Sequence, residues 1–104
     1  MHIQMTTINK ILLKPKAYED LENIYNYSVL NFGEVKAIEY INDIDQVLIK
    51  LSQNESKGKS CDFIKNNLLK FNVNSHVLFF RYTKNLIEVI RILHQKQDYS
   101  RHIQ

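Results

Sequence analysis

The sequence predicts an α+β fold of order β-α-α-β-β-β, with an N-terminal helical hairpin packed on one face of an antiparallel sheet. Three observations carry this. Residues 17–32 and 34–51 repeat apolar side chains at three- and four-residue steps and meet at Gly33. Residues 76–82 (HVLFFRY) and 86–94 (LIEVIRILH) are dense in β-branched and aromatic residues and flank a short polar joint. Residues 7–14 (TINKILLK) form a further β-rich run that stops at Pro15, which has no N–H for a ladder.

In chain order, residues 7–14 are the first strand. The helix over 17–32 carries Tyr18, Leu21, Tyr25, Ser28/Val29 and Phe32 along one face, with Glu19, Asp20 and Glu22 in its early turns, where the helix dipole favours acids. Gly33 suits the left-handed position that ends a helix. The helix over 34–51 has the stripe Ala37, Ile41, Ile44, Leu48 and Leu51, widened by Ile38 and Val47. A joint this short makes the two an antiparallel hairpin. Residues 52–60 (SQNESKGKS) read as a loop, 63–71 as a strand preceded by a turn, and 72–75 as a turn. The last two runs form a β-hairpin about 83–85. If it pairs about Lys84, residue 81 faces 87 and residue 77 faces 91. Arg81 and Arg91 then share a face with Val77, Phe79, Ile87, Val89 and Leu93. His76 and His94 share the other with Leu78, Phe80, Ile90 and Ile92, and the two sets do not converge. A one-residue slip would mix them.

The 104 residues fit one domain over 1–104, with 1–6 an N-terminal extension or the start of an edge strand and 95–104 a basic tail. Two glycines and one proline exclude collagen-like and Gly-rich phosphate-loop designs, and one cysteine excludes a disulfide framework. No apolar run approaches the about 20 residues that span a bilayer, and residues 1–10 carry no signal-peptide core, so no membrane association and a cytoplasmic location are expected. The formal net charge of +3 resides in residues 81–104, where Arg81, Lys84, Arg91, Lys96 and Arg101 stand against Glu88 and Asp98. A basic end suggests an anionic partner. Cys61 reads as a small structural residue, and the histidines lack ligand spacing, so no metal and no cofactor are expected.

Four stretches resemble the toxins of the RelE/ParE superfamily, the ParE branch in particular. They are Ala17-Tyr18-Glu19-Asp20-Leu21-Glu22-Asn23-Ile24 with Tyr27 and Gly33; Gly58-Lys59-Ser60-Cys61-Asp62 leading to Ile64 and Leu69-Lys70-Phe71; Ser75-His76-Val77-Leu78-Phe79-Phe80-Arg81; and Ile87-Glu88-Val89-Ile90-Arg91-Ile92-Leu93-His94 with Asp98. The resemblance implies a type II toxin that poisons DNA gyrase and is neutralised by a ParD-like antitoxin, with operator DNA contacted only through that antitoxin. It implies no catalytic residue.

Two other readings stand beside it. A RelE-like ribosome-dependent mRNA interferase would draw on Lys65, Lys70, Arg81, Arg91, His94 and Tyr99 for base, acid and phosphate-binding roles. An inactive toxin fold would serve as operon co-regulator. Within the ParE reading, a His94–Asp98 pair anchors the tail, and Lys96, Tyr99, Arg101 and His102 are the candidate gyrase contacts. Tyr25, Ile38, Tyr40, Arg81, Lys84 and Arg91 are the candidate antitoxin contacts, on the argument that the second sheet face is left bare and that an acidic antitoxin tail meets the cations.

Overall fold

The computed structural model describes residues 10–54, 56–84 and 86–103. Its elements are β1 (Lys10–Leu13), α1 (Pro15–Phe32), α2 (Glu34–Ser52), β2 (Lys59–Ser60), β3 (Leu69–Val73), β4 (His76–Thr83), β5 (Leu86–His94) and α3 (Tyr99–His102). The α+β order is as expected, with a two-residue strand and a single helical turn added. Residues 7–9 of the expected first strand, the extension 1–6 and Asn85 lie outside the described residues.

Local chemistry accounts for the punctuation. Pro15 begins α1, where its fixed φ is already helical and its missing N–H costs nothing. Because the helix starts there, its first turn holds no acid, and Glu19 falls in the second. Gly33 adopts φ 89° and ψ 166°, a region open in practice only to glycine, and donates its N–H to the Val29 carbonyl at 3.0 Å. Asn67 and Asn74 take positive φ in their turns, which their side chains tolerate better than most.

The sheet order is β1-β5-β4-β3-β2. All pairings are antiparallel except β1 with β5, which is parallel. A parallel partner is reachable there because the whole helical hairpin and the rest of the sheet intervene in the chain. The β-hairpin register departs from the expected one. Arg81 faces Glu88 and Val77 faces Leu93, with an irregularity between Phe79 and Phe80. This bulge inserts one residue into β5 between Val89 and Arg91. Ile87 and Val89 therefore face the helices with Leu78, Phe80 and Ile92, while Ile90 turns to the opposite face.

The main core lies between hairpin and sheet. It joins Ala17, Leu21 and Ile24 of α1 and Ile41, Ile44, Leu48 and Leu51 of α2 to Leu78, Phe80, Ile87, Val89 and Ile92. The α2 stripe is the expected one. The α1 stripe is rotated: Ala17, Leu21, Ile24 and Ser28 are buried, whereas Tyr18 and Phe32 are exposed. The Tyr82 hydroxyl donates to the Leu51 carbonyl at 2.8 Å and fastens the end of α2 to β4.

The second sheet face is covered, contrary to the expectation that it is bare. Val77, Phe79 and Leu93 pack with Cys61 and Leu68 from the 61–68 loop and with Ile103 from the tail, flanked by Ile64, Ile90 and Tyr99. The loop closes on itself, since Cys61 N–H reaches the Leu68 carbonyl at 2.8 Å and the Asp62 carboxylate accepts from Asn67 N–H at 2.9 Å. Burial pushes the Cys61 thiol above its ordinary value, against the pull of Lys70, which suits a packing role.

Gly58 sits where the chain passes over the buried Phe80 ring. A Cβ there would lie 2.5 Å from Phe80 Cζ, 3.0 Å from Leu69 Cβ and 3.1 Å from the Lys70 carbonyl oxygen. Phe80 is fully buried and cannot retreat without repacking the core. Gly58→Ala is therefore expected to cost about 1.5 kcal/mol in urea unfolding, within the range for overpacked sites; an unchanged midpoint would show that the ring yields freely.

Candidate functional site

A cleft of about 850 Å³ opens between the helical hairpin and the ends of β4 and β5. Asp20, Asn23, Ile24, Tyr27 and Phe32 come from α1, Lys36, Glu39, Tyr40 and Asp43 from α2, and His76, Arg91, Ile92 and His94 from the sheet.

Tyr40 is the hub of its floor. Its hydroxyl bonds to His76 Nδ1 and, at 2.9 Å, to Ser75 Oγ, and it accepts from Ser75 N–H at 3.3 Å. The arrangement that satisfies each group has Tyr40 donating to the imidazole and accepting from Ser75. His76 and His94 are cross-strand partners with rings edge to face, 5.2 Å between centroids. Burial, and secondarily the neighbouring His94, push the His76 imidazole down to about 4, against the opposing pull of Asp20. It is neutral at physiological pH, with Nδ1 already occupied. His94 Nδ1 accepts from Lys96 N–H at 3.1 Å.

Arg91 borders the cleft but is committed internally. Its Nε and Nη2 reach the two Asp20 oxygens at 2.7 and 2.9 Å, and its Nη1 donates to the His102 carbonyl at 3.0 Å. The Asp20 bond, the largest influence, raises its pKa further. Asp20 also accepts from Ile92 N–H at 2.9 Å. The bulge brings Arg91 beside His76 and His94 after all, correcting the expected separation. The guanidinium is held by Asp20 and the His102 carbonyl, and each imidazole has its Nδ1 hydrogen-bonded within the protein. The interferase candidates are also scattered. Lys65 and Arg81 line a separate groove, and Lys70 lies 5.8 Å above the Tyr99 ring.

Exposed apolar side chains flank the Gly33 joint, of which Tyr27 and Phe32 also line the cleft. Tyr27, Leu30, Phe32, Val35 and Ile38 are all exposed, Leu30 by 85% and Val35 by 72%. Of these, sequence reasoning named only Ile38 as a contact. Leu30 and Val35 were legible as apolar residues off both core stripes, on either side of Gly33. The cleft walls are acidic on balance, with Glu19, Asp20, Glu39 and Asp43 against Lys36 and Arg91. An acidic tail is thus poorly matched to this cleft.

The other expected site residues are dispersed. Tyr25 packs against the main core, Arg81 Nε reaches Glu88 at 2.7 Å, and Lys84 is exposed at the β4–β5 turn. In the tail, Lys96, Arg101 and His102 are exposed, but Tyr99 turns inward, its ring 4.9 Å from that of Phe79 and its hydroxyl donating to the Gln95 carbonyl. The tail is anchored by two separate caps rather than a His94–Asp98 pair. Asp98 accepts from Ser100 at the start of α3, while His94 N–H donates to Gln97 and its ring accepts from Lys96.

The chain thus sets a helical hairpin on a five-stranded sheet, with a cleft between them and exposed apolar side chains about the Gly33 joint. The fold is shared with the chromosomal ParDE toxin–antitoxin system from P. aeruginosa (TM-score 0.72, 22% identity, 86% of this chain and 98% of that one). It is shared more loosely with the YoeB–YefM complex from Staphylococcus aureus (TM-score 0.57, 16% identity, 88% and 97%). Toxin ParE1 of Mycobacterium tuberculosis is 31% identical over 96 residues, covering 91% of this chain and 98% of that protein. Toxin ParE1 of Caulobacter vibrioides is 25% identical over 91 residues, 88% and 94%. The pattern of the ParE toxin of the type II toxin–antitoxin system parDE matches residues 11–99, and the chain belongs to that family.

Proposed function

We propose that this chain poisons DNA gyrase by binding rather than catalysis, and that a ParD-like antitoxin neutralises it by seating on the hairpin cleft and its rim. The observation that carries the reading is the family match over 11–99 joined to the exposed rim of Tyr27, Leu30, Phe32, Val35 and Ile38. Large apolar side chains left exposed close together about one joint favour a protein partner. The Arg91–Asp20 pair, which commits the guanidinium internally, supports binding over catalysis. In this reading Lys96, Arg101 and His102 contact gyrase, and the protein acts in the cytoplasm. Among the described residues no helix is long and apolar enough to cross a membrane.

Purified gyrase, plasmid DNA and antitoxin-free protein test the reading. Lost supercoiling with linear DNA accumulating is the expected result. Unchanged gyrase with ribosome-dependent mRNA cuts would replace it with the interferase. No growth defect with operator binding retained in the antitoxin complex would replace it with the co-regulator. The antitoxin surface has its own test. Leu30→Glu with Val35→Glu should leave the fold intact, since both side chains are largely solvated, and should weaken antitoxin affinity by about tenfold in calorimetry, a modest interface loss.

A further inference from the structure

A second groove of about 450 Å³, sharing Arg91 with the cleft, is lined by Lys14, Lys16, Lys65, Arg81, Arg91 and Arg101. Five separate stretches deliver these cations: the β1–α1 junction, the 61–68 loop, β4, β5 and α3. No carboxylate lines the groove among the described residues, although the chain's net charge is only +3. We propose that this groove binds the phosphodiester backbone of a nucleic acid.

The bonding pattern selects the ligand. Arg91 is committed to Asp20, but Glu88 takes only Arg81 Nε, leaving both Arg81 Nη groups on a side chain 36% exposed. Lys14, Lys16 and Arg101 are exposed and have no acidic partner among the described residues. Several backbone groups beside the groove are taken. Lys14 N–H goes to the Val89 carbonyl, Ile92 N–H to Asp20 and the His102 carbonyl to Arg91, while Pro15 has no N–H. Only side-chain cations and few free backbone groups face the groove, so an acidic peptide would be held there chiefly by charge. A polyphosphate backbone needs nothing else. The apolar lining is Ile90 and Ile103, with no aromatic face for a base. Recognition is therefore of the backbone, indifferent to sequence and suited to a duplex. The inference goes beyond gyrase poisoning and antitoxin binding and does not depend on either.

The test is fluorescence anisotropy of the purified chain with a labelled 20-base-pair DNA duplex and its RNA counterpart between 50 and 200 mM NaCl. Four available cations give an expected slope of log affinity on log salt of about −3.6 for DNA, a weakening of roughly 100-fold across that range. Lys14→Gln/Lys16→Gln/Arg101→Gln should flatten the slope to about −1 and lower affinity at 50 mM salt at least tenfold. Lys36→Gln/Lys50→Gln/Lys57→Gln removes equal charge elsewhere and should preserve the slope. Circular dichroism melts confirm that each variant is folded. Binding of DNA, RNA or both through the groove supports the proposal and identifies the source of the phosphates. Equal loss in the two triple variants would assign the binding to net charge and overturn it. Absence of binding at 50 mM salt, or tighter binding of a polyglutamate peptide than of either duplex, would also overturn it. Neither gyrase nor antitoxin is in the cuvette, so the outcome is independent of the gyrase assay.

Discussion

Asp20→Ala is expected to destabilise the protein by about 4 kcal/mol, the cost of breaking a largely buried ion pair from one side. Its carboxylate holds Arg91 Nε and Nη2 and the Ile92 N–H at once. The paired side chains are 13% and 15% exposed, so water replaces little of what is lost. The substitution strands a guanidinium and a backbone donor together. It also loosens the tail, because Arg91 is the residue that holds the His102 carbonyl. Asp20→Asn keeps acceptor and shape and should lose about half as much. Asp20→Leu/Arg91→Met removes both charges and should cost less than Asp20→Ala alone, because no unpaired charge remains. Urea unfolding of the three variants decides the matter. A loss under about 1 kcal/mol for Asp20→Ala would class the pair with exposed salt bridges.

That pair also shows where sequence legibility stops. The two helices were readable because Ala37, Ile41, Ile44, Leu48 and Leu51 repeat at helical spacing and Gly33 punctuates the joint. β4 and β5 were readable from β-branched and aromatic density. Their register was not, because an inserted residue opposite Phe79 and Phe80 leaves no signature where apolar residues sit on both faces of β5. One residue was enough to move Ile90 to the far face and Arg91 to the cleft. Asp20 and Arg91 are 71 positions apart, and no local rule joins them. β2 spans two residues, too few to show a period.

The covering of the far face rests on similarly thin signals. Ile103 is one apolar residue in a polar tail, yet it is 3% exposed and closes over Phe79 and Leu93 with Leu68. The α1 stripe was misplaced by one position because Tyr18 and Phe32 are apolar enough to pass for core. Tyr18 lies one position off the buried stripe of Ala17, Leu21, Ile24 and Ser28, and Phe32 is the last residue of α1, beside the Gly33 joint. The site was thus legible as a family resemblance and as a basic C-terminal end, but its division into an acidic-walled cleft and a cationic groove required the fold.

The cleft floor makes a pH prediction whose sign follows from His76. Its folded value of about 4 lies below the ordinary imidazole value of 6.5 that holds in the unfolded chain. As pH falls through 6.5, the unfolded state takes up a proton that the folded state refuses. Stability is therefore complete above 6.5, declines between 6.5 and 4, and levels off below. The full shift corresponds to about 3 kcal/mol, and partial solvent access to the ring reduces the expected loss to about 2 kcal/mol. The groups that face the ring are Tyr40 on α2, His94 on β5 and Asp20 on α1. Tyr40 donates to Nδ1 while that nitrogen is unprotonated and must reverse its hydrogen bonds with Ser75 to accept from a protonated one, and His94 adds repulsion, so two of the three neighbours oppose the charge. His76→Gln retains an acceptor for Tyr40 and cannot titrate. Urea unfolding at pH 7.5 and pH 4 should show wild type losing about 2 kcal/mol more than this variant, with carboxylate titration common to both. Parallel losses would mean that the ring takes its proton in the folded state, and the cleft floor would then carry a positive charge toward an incoming partner. With the loss as expected, His76 stays neutral across physiological pH, and the acidic walls alone set the charge that a partner segment meets.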